Sequence, residues 1–432
     1  MVIKNVLWQM SEKIIRLSVT VIVGALMARY LGPEGFGKYN YITAILAIML
    51  VVTSLGFNRI LVRESANCTS EIEHKEVVST SLFLRLASSI FSIIVISLFL
   101  LYFGNDNNLF YLISLVSVVF VSFDVIDYHL QGQSIFKVAT SCRVVGFIIA
   151  SLLRVWFVYS EANLIYFYST VLIEYLISGL LIFIVSQKKY KNITNISFRY
   201  FSYSKAKSLL KESWPEIIAG FGAIIFMKMD QIMLQKLQGD ASVGIYSAAT
   251  RISEAWYFIP AAIVAAVFPL FMKKYNEDKK EVMKQISCVM SLLVWMSIFA
   301  AIFVNIVGDY VIHLIYGVRY LESSIVLKLH IWAGIFLCMG ITSGSWLVAE
   351  KKLRLNLYRN LSGLALNFVL NILLIPIYGT VGAAIATIFG LAMAFFIFDL
   401  FHKDLRAMFW IKLSAFSPLL FIRSIKYILK LK

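Results

Sequence analysis

Long apolar runs recur from near the start of the chain to residue 402, and the polar segments between them are too short to fold as separate water-soluble domains. A membrane-spanning helix needs about 20 mostly apolar residues. Only 15% of the residues are charged, against about 25% in soluble proteins. The sequence therefore predicts an all-α polytopic membrane protein of about twelve transmembrane helices. The predicted spans lie near residues 14–30, 40–64, 79–103, 109–130, 143–159, 164–186, 215–237, 243–272, 286–306, 325–348, 357–377 and 380–402.

The basic residues predict how these spans are oriented. The formal net charge is +16, a value that would suggest nucleic-acid binding in a soluble protein. If the N-terminus is cytoplasmic, most of the 40 lysines and arginines fall on inner loops, as the positive-inside rule requires. We therefore expect no nucleic-acid partner, and both termini on the cytoplasmic side. The basic tail 403–432 is predicted to be interfacial, although 408–422 is apolar enough to dip into the membrane.

Two related segments indicate an internal duplication. When Arg29 is aligned with Lys236, a basic residue, two glycines and a tyrosine coincide in the stretches 29–39 and 236–246. Both stretches follow the first span of a six-span half, and the basic loop 187–213 separates the halves. Parallel repeats of this kind are typical of transporters. We expect two pseudo-symmetric six-helix lobes, at residues 1–200 and 201–432, around a central cavity.

Several other types of site are not favoured by the sequence. The Gly32-x4-Gly37-Lys38 segment is similar to a phosphate-binding loop, but Tyr39 stands where that loop requires serine or threonine. The four cysteines are scattered and have no metal-site spacing. The first apolar run continues into a second span, so it is predicted to be a retained helix rather than a signal peptide. No cofactor or metal is expected.

The chain resembles the polysaccharide flippases of the multidrug/oligosaccharidyl-lipid/polysaccharide exporter superfamily. The resemblance covers nearly the whole chain and is densest at residues 214–272. It is carried by the stretches Ala28–Tyr39, Met229–Leu234, Val243–Glu254, Phe258–Ala261 and Phe268-Pro269, with Gln131-Gly132 after the fourth span.

This resemblance implies a Wzx-type O-antigen or capsule repeat-unit translocase. Such proteins move undecaprenyl-pyrophosphate-linked oligosaccharides across the bacterial cytoplasmic (inner) membrane. It implies alternating access driven by an ion gradient or the membrane potential, with no covalent chemistry and no enzyme activity. Its implied partners are the lipid-linked oligosaccharide, membrane lipid and other polysaccharide assembly proteins.

Two alternatives remain open. The first is a multidrug or metabolite cation antiporter of the same superfamily, but the first span has no carboxylate in its core, which favours an anionic substrate. The second is a membrane glycosyltransferase or polymerase. Such enzymes generally need sizeable outer loops, whereas 104–108, 160–163 and 378–380 are short here, and 307–324 is the longest.

Basic residues within or beside the spans are the candidate substrate-binding groups. Arg251 is the leading candidate, because a guanidinium group can donate two hydrogen bonds to phosphate oxygens. For Arg251 the alternative is a structural network with Asp230 and Glu254, and each of the other candidates is equally well explained as a snorkelling anchor at the membrane surface. The other candidates for a cationic cavity are Arg29, Arg59, Arg63, Arg85, Arg154, Lys228 and Lys328.

Acidic residues within the spans are candidates for ion coupling or gating, because a charge in the membrane is costly. Asp230 is predicted to pair with Arg251 on the next span, and Glu254 shares the helix face of Arg251. Glu174 has no obvious partner in the sequence, so it is a candidate proton site or a hydrogen-bonded structural carboxyl. Asp124, three residues before Asp127, is either a second coupling group or a partner for inner-loop cations.

Overall fold

The computed structural model describes the backbone of residues 2–103, 111–275 and 278–429. All regular secondary structure within these ranges is helical. The predicted outer loop 104–108 and part of the inner segment before residue 278 lie outside the described residues.

The helices follow one another with short connections. In the first half they are α1 (Val2–Ser54), α2 (Phe57–Asn67), α3 (Glu71–Phe103), α4 (Tyr111–Leu115), α5 (Ser117–Val121), α6 (Asp124–Gly132), α7 (Lys137–Tyr159), α8 (Leu164–Lys189) and α9 (Lys191–Thr194). In the second half they are α10 (Tyr203–Gln238), α11 (Asp240–Lys274), α12 (Lys279–Tyr316), α13 (Glu322–His330), α14 (Ala333–Ala349), α15 (Leu353–Ala392), α16 (Phe398–Phe401), α17 (Arg406–Ser414) and α18 (Pro418–Leu429). A π-helical turn, Met393–Ile397, joins α15 to α16.

The predicted number of spans is confirmed. Ten helical stretches among the described residues are long and apolar enough to cross a membrane. Two of them, Ile15–Asn67 and Leu353–Phe401, contain 53 and 49 residues, far more than one crossing requires. Each contains a glycine with non-helical backbone angles, Gly32 at φ 67° and Gly379 at φ 55°. Division at these glycines gives twelve spans.

The tail forms a bent pair of helices beside α12. The segments Lys403–Ser414 and Pro418–Tyr427 meet at 91°. Oγ of Ser291 donates to the carbonyl of Ala415 at 3.1 Å, and the ring of Phe421 lies 5.5 Å from that of Trp295. Ser291 is five residues past the start of the predicted span at residue 286, about 8 Å along it. Residues 408–422 therefore pack beside a span, as expected if this part of the tail dips into the membrane.

The chain divides into two compact units. Unit 1 comprises Met1–Leu31 and Lys38–Lys228, and unit 2 comprises Gly32–Gly37 and Met229–Lys432. The division falls within α10, whereas the sequence placed the lobe boundary at residues 200–201, in the basic loop before that helix. The short turn at 32–37 is a second difference from the predicted lobes: it comes from the first half of the sequence but belongs to unit 2.

Two repeated glycines explain how this turn packs in unit 2. A Cβ atom on Gly37 would lie 1.7 Å from the carbonyl oxygen of Asp240. A Cβ atom on Gly244 would lie 2.0 Å from the carbonyl oxygen of Pro33. The aligned repeat makes Gly37 equivalent to Gly244, and Pro33 equivalent to Asp240. The two turns therefore contact each other reciprocally, and only glycine allows the backbones to approach so closely.

Each unit has its own apolar core. The core of unit 1 lies between α2, α3 and α6 and includes Phe57, Leu61, Val78, Val125 and Ile126. The core of unit 2 lies between α12, α14 and the tail helices and includes Met290, Leu293, Met339, Leu347 and Met408. Tight cores of this kind fix the positions of the polar side chains that the same helices carry.

Candidate functional site

Glu174 is the centre of a buried ionic network in unit 1. This carboxylate on α8 is 8% exposed. Nη2 of Arg154 on α7 lies 3.0 Å from its Oε2 atom, and Nη1 of Arg16 on α1 lies 3.4 Å from its Oε1 atom. Nε of Arg154 also donates to Thr170 at 2.9 Å. The sequence offered no partner for Glu174, whereas the structure gives it two arginines, and one of them is the candidate Arg154.

A second ion pair continues this network. Arg143 on α7 pairs with Asp127 on α6, which is 1% exposed and also accepts from Gln131 at 2.9 Å. Nη2 of Arg16 donates to the carbonyl of Arg143 at 3.3 Å, so Arg16 connects the two pairs. In the sequence, Arg16 and Arg143 count only among the inner-side cations of the positive-inside pattern. The available signal was that each lies at the beginning of a predicted span, 14–30 or 143–159.

Arg85 on α3 is a buried cation of unit 1 with unused hydrogen-bonding capacity. Its side chain is 2% exposed, and Nε and Nη1 have no hydrogen-bond partner within the described structure. The charged group that interacts most strongly with Arg85 is the carboxylate of Asp124, on the neighbouring α6. A buried donor without a partner is costly. Arg85 can therefore donate to an anionic ligand without first breaking a hydrogen bond from these two atoms.

The charges of this network do not cancel. Among the described residues it contains four arginines, Arg16, Arg85, Arg143 and Arg154, and three carboxylates, Asp124, Asp127 and Glu174. The surplus of one positive charge, together with the free donors of Arg85, makes this interior better suited to an anion than to a cation.

Asp230 on α10 occupies a different environment in unit 2. It is 3% exposed and accepts three hydrogen bonds from neutral side chains. The hydroxyl groups of Tyr246 and Thr387 lie 2.6 and 2.5 Å from Oδ2, and Nδ2 of Asn371 lies 2.6 Å from Oδ1. The predicted pairing with Arg251 is therefore wrong, because both carboxylate oxygens are engaged elsewhere.

The surroundings of Asp230 are rich in oxygen atoms. Thr387 also donates to the carbonyl of Ala383 at 3.1 Å, and Asn371 donates to Oδ1 of Asn367 at 3.3 Å. Both asparagines are fully buried, and Oδ1 of Asn371 has no partner in the described structure. A buried carboxylate without a cationic partner is unstable. The site can be neutralised by a proton, or by a hard monovalent cation that prefers oxygen ligands.

Arg251 lies in an aromatic environment at another place in unit 2. Its guanidinium carbon is 4.9 Å from the centroid of the buried Phe36 ring. The rings of Tyr316 and Tyr320 lie 6.5 and 6.2 Å from the same ring. A cation over an aromatic face is held mainly by the ring quadrupole. Glu254, one turn further along α11, is half-buried.

The remaining candidate cations lie nearer the surface. Arg59 and Arg63 on α2 are exposed and pair with glutamates of α10. Lys328 pairs with Asp309 at 2.6 Å, and Arg29 is exposed. Lys228 is half-buried, two residues before Asp230. Within unit 1 the structure thus brings together Arg85, Arg154, Asp124 and Glu174, and sets Arg59 and Arg63 in a separate cluster.

Two protein-family models match the chain. The family model described as "Polysaccharide biosynthesis protein" matches residues 2–275, and the MatE model matches residues 215–373. The capsular polysaccharide biosynthesis protein CapF of Staphylococcus aureus is 22% identical over 406 residues, which cover 93% of this chain and 99% of that protein.

Two solved structures share the fold. The lipid II flippase MurJ in an inward closed conformation superposes with a TM-score of 0.71 at 16% identity, covering 98% of this chain and 93% of that one. A multidrug resistance MATE family transporter in an inward-facing conformation superposes with a TM-score of 0.67 at 17% identity, covering 93% of this chain and 98% of that one.

Proposed function

The chain belongs to the polysaccharide biosynthesis protein family, within the multidrug/oligosaccharidyl-lipid/polysaccharide exporter superfamily, and we propose from this premise that it is a flippase for lipid-linked glycans. Its substrate in this proposal is an undecaprenyl-pyrophosphate-linked oligosaccharide repeat unit. The protein carries the headgroup by alternating access across the bacterial cytoplasmic membrane, with both termini cytoplasmic and the polyprenyl tail remaining in lipid. The solved relative named a lipid II flippase supports translocation of a glycan on a lipid carrier.

The observation that carries the proposal is Arg85. A buried guanidinium with two unpartnered donor atoms is costly unless a ligand uses them. Phosphate oxygens suit it, since a guanidinium donates two parallel hydrogen bonds to them. The surplus positive charge around Glu174 and Asp127 attracts the same ligand. We propose that Arg85 receives a phosphate of the headgroup, and that Arg251 makes a second contact during transport.

Asp230 is proposed to couple transport to an ion gradient. Its carboxylate is held by three neutral donors, so binding or release of a proton or a monovalent cation changes the charge of the site by one. Loss of the compensating cation leaves an isolated buried charge, which favours a rearrangement of α10 against α15. An exchange of this kind supplies a driving force without covalent chemistry.

A cation antiporter of the same superfamily is the second candidate, and the MatE match favours it. The site of such an antiporter needs a carboxylate that is available to a cationic substrate. In the described part of unit 1, Glu174 and Asp127 are paired with arginines, and Asp124 acts on Arg85. The anionic substrate is therefore the better supported of the two.

The test is transport into vesicles that contain the purified protein and undecaprenyl-pyrophosphate-linked oligosaccharide. We expect Arg85→Met to lower the initial rate at least about tenfold, since one charge-assisted hydrogen bond contributes on this scale. Arg85→Lys should retain part of the rate. Arg251→Ala and Arg251→Lys form a parallel pair for the second contact.

Arg199→Met removes an exposed arginine outside the ionic network and serves as the control. Full activity of both Arg85 variants would contradict the assigned headgroup site. Failure of the wild-type protein to translocate the glycan lipid, combined with efflux of organic cations, would favour the antiporter.

A further inference from the structure

Two arginines of α2 face two glutamates of α10 in an antiparallel ladder within unit 1. Nη1 and Nη2 of Arg63 lie 2.5 and 2.7 Å from Oε1 and Oε2 of Glu212. One turn earlier on α2, Nη1 of Arg59 lies 3.9 Å from Oε1 of Glu216, which is one turn later on α10. The ladder is therefore a repeated contact with a four-residue spacing on both helices.

The ladder continues beyond these two pairs. Nη2 of Arg63 also donates to Oε1 of Glu64 at 3.0 Å, and Nζ of Lys205 donates to Oε2 of Glu64 at 2.5 Å. Lys205 is in the first turn of α10, so the contact extends over the whole predicted cytoplasmic end of that helix. α10 thus meets α2 through these ion pairs as well as through the apolar core that Leu209 shares with Phe57 and Leu61.

The geometry of the Arg63–Glu212 pair is the same as that with which arginine binds phosphate. Two parallel N–H groups meet two oxygens of one planar anion. Glu212 and Glu216 are anionic groups one helical turn apart, and a pyrophosphate likewise offers two linked anionic groups. The carboxylates of α10 therefore occupy positions that the two phosphates of a lipid headgroup can take over.

The ladder is accessible and weak enough to exchange. The side chains of Arg59 and Arg63 are 87% and 52% exposed, and those of Glu216 and Glu212 are 49% and 42% exposed. Exposed ion pairs contribute little to stability and are screened by salt. A pyrophosphate carries more charge than either carboxylate, so it competes well for the same guanidinium groups.

α2 and α10 also meet at a break in the second span. Leu55 and Gly56 both have positive φ, 51° and 64°, and they separate α1 from α2. A Cβ atom on Gly56 would lie 2.9 Å from the carbonyl oxygen of Ser213. The break therefore abuts α10 immediately beside Glu212. An eleven-residue helix that begins at such a break can pivot relative to α1 when its charges are exchanged.

We propose that Glu212 and Glu216 act as a displaceable internal competitor for a pyrophosphate-binding site formed by Arg59 and Arg63. The inference rests on the proposed function and adds a regulatory step to it. Without substrate, the two glutamates neutralise the arginines and hold the first half of α10 against α2. An arriving pyrophosphate replaces them and releases this half of α10. The protein thus opens its predicted cytoplasmic side only when an anionic lipid headgroup is present.

Binding of farnesyl pyrophosphate to the full-length protein in nanodiscs tests this competition. We expect the Glu212→Gln/Glu216→Gln variant to bind it about threefold to tenfold more tightly than the wild-type protein, because the competing carboxylates are gone. Adding Arg59→Gln and Arg63→Gln to that variant should abolish the gain in affinity. Farnesol and inorganic pyrophosphate, tested in parallel, separate the contribution of the lipid from that of the phosphates.

The control is Glu71→Gln/Glu76→Gln, which changes the net charge by the same amount on α3 of the same unit. An equal gain in this control would show that only net charge matters and would overturn the proposal. Hydrogen exchange provides a second measurement: residues 203–217 should exchange faster when farnesyl pyrophosphate is added, and in the double glutamine variant without it.

Two outcomes distinguish the internal competitor from the flippase function on which it rests. If the wild-type protein binds farnesyl pyrophosphate and the glutamine variant gains nothing, the internal competitor is ruled out while the flippase function stands. If no variant binds any pyrophosphate, the proposed function itself fails.

Discussion

Asn371 and Asp230 meet in the interior of unit 2, with Nδ2 of the amide 2.6 Å from Oδ1 of the carboxylate. They are 141 residues apart in the sequence, and Asn371 is itself fully buried. With Tyr246 and Thr387 on the other oxygen, the carboxylate is surrounded by dipoles, and none of its hydrogen-bond partners among the described residues is a cation. This relationship makes Asp230 the most informative residue for studying energy coupling.

Asp230→Asn keeps the shape of the side chain and removes the charge. We expect the transport rate to fall at least about tenfold and its dependence on the ion gradient to disappear, while the melting temperature is unchanged or higher, since a costly buried charge is lost. Transport in vesicles with imposed sodium or proton gradients measures both effects. Asp309→Asn, at an exposed ion pair of the same unit, should retain gradient-dependent transport.

Glu174→Gln should destabilise unit 1. The substitution leaves Arg154 and Arg16 without their carboxylate partner, and breaking a buried pair in this way costs about 3 kcal/mol or more. Denaturant unfolding in detergent would measure the loss. Glu71→Gln removes only an exposed pair with Lys75 and should change the free energy of unfolding by about 0.5 kcal/mol or less. Equal stability of Glu174→Gln and the wild-type protein would show that the network contributes nothing.

Gly37→Ala and Gly244→Ala should have similar and severe effects. Each added methyl group would overlap a backbone carbonyl of the other turn, at 1.7 Å from Asp240 and 2.0 Å from Pro33. Neither carbonyl can rotate away as a flexible side chain would. We expect faster hydrogen exchange at residues 32–37 in both variants. Gly222→Ala, where an added Cβ meets nothing within 4 Å, is the matched control on α10.

Lys412 anchors the tail to the last span. Its Nζ atom lies 2.6 Å from Oδ2 of Asp399 and 2.6 Å from the carbonyl of Phe395, and both charged side chains are almost fully buried. Lys412→Met leaves the Asp399 charge unpaired and should cost about 3–5 kcal/mol. The double variant Lys412→Met/Asp399→Leu should recover much of this loss.

Thermal unfolding of these variants should be compared with that of Lys426→Met, which removes an exposed lysine from α18. A double variant as unstable as Lys412→Met alone would mean that the lysine acts through packing rather than through its charge.

Glu350 predicts an acid-sensitive contact between the end of α14 and the segment that joins α11 to α12. Hydrogen bonds from Lys279, at 2.5 Å, and from Tyr275 hold the pKa of this carboxyl below its ordinary value. A lowered folded-state pKa stabilises the protein above the ordinary carboxyl range, and this contribution is lost as the pH falls through the lowered pKa. The melting temperature of the wild-type protein should exceed that of Glu350→Gln at neutral pH. The difference should shrink in acid and in high salt, because Lys279 is 60% exposed.

Hydropathy predicted the spans because apolar segments of sufficient length have one stable form in lipid. The two turns hidden within long helices were also predictable, since Gly32 and Gly379 interrupt apolar runs that are too long for a single crossing. What hydropathy cannot give is the direction of a side chain on its helix. That direction depends on which neighbouring helices pack against each face.

The site residues show this limit. Arg16, Arg143 and Lys412 fit the positive-inside count as well as any surface lysine, yet each makes a buried contact with a carboxylate. Glu174 and Asp230 were found because a lone acid inside a span is conspicuous. Their partners lie on helices far away in the sequence, so neither the arginines around Glu174 nor the amide at Asp230 could be assigned beforehand.

The reciprocal turns at Gly37 and Gly244 bear on how the duplicated sequence can change. Each turn supplies a glycine and a backbone carbonyl oxygen, and the carbonyl oxygen of one turn lies against the glycine of the other. A mutation in one copy therefore meets the unchanged copy as its immediate steric environment. Substitutions in the two turns are therefore coupled, because neither glycine can be replaced by a larger residue unless the opposite backbone moves away.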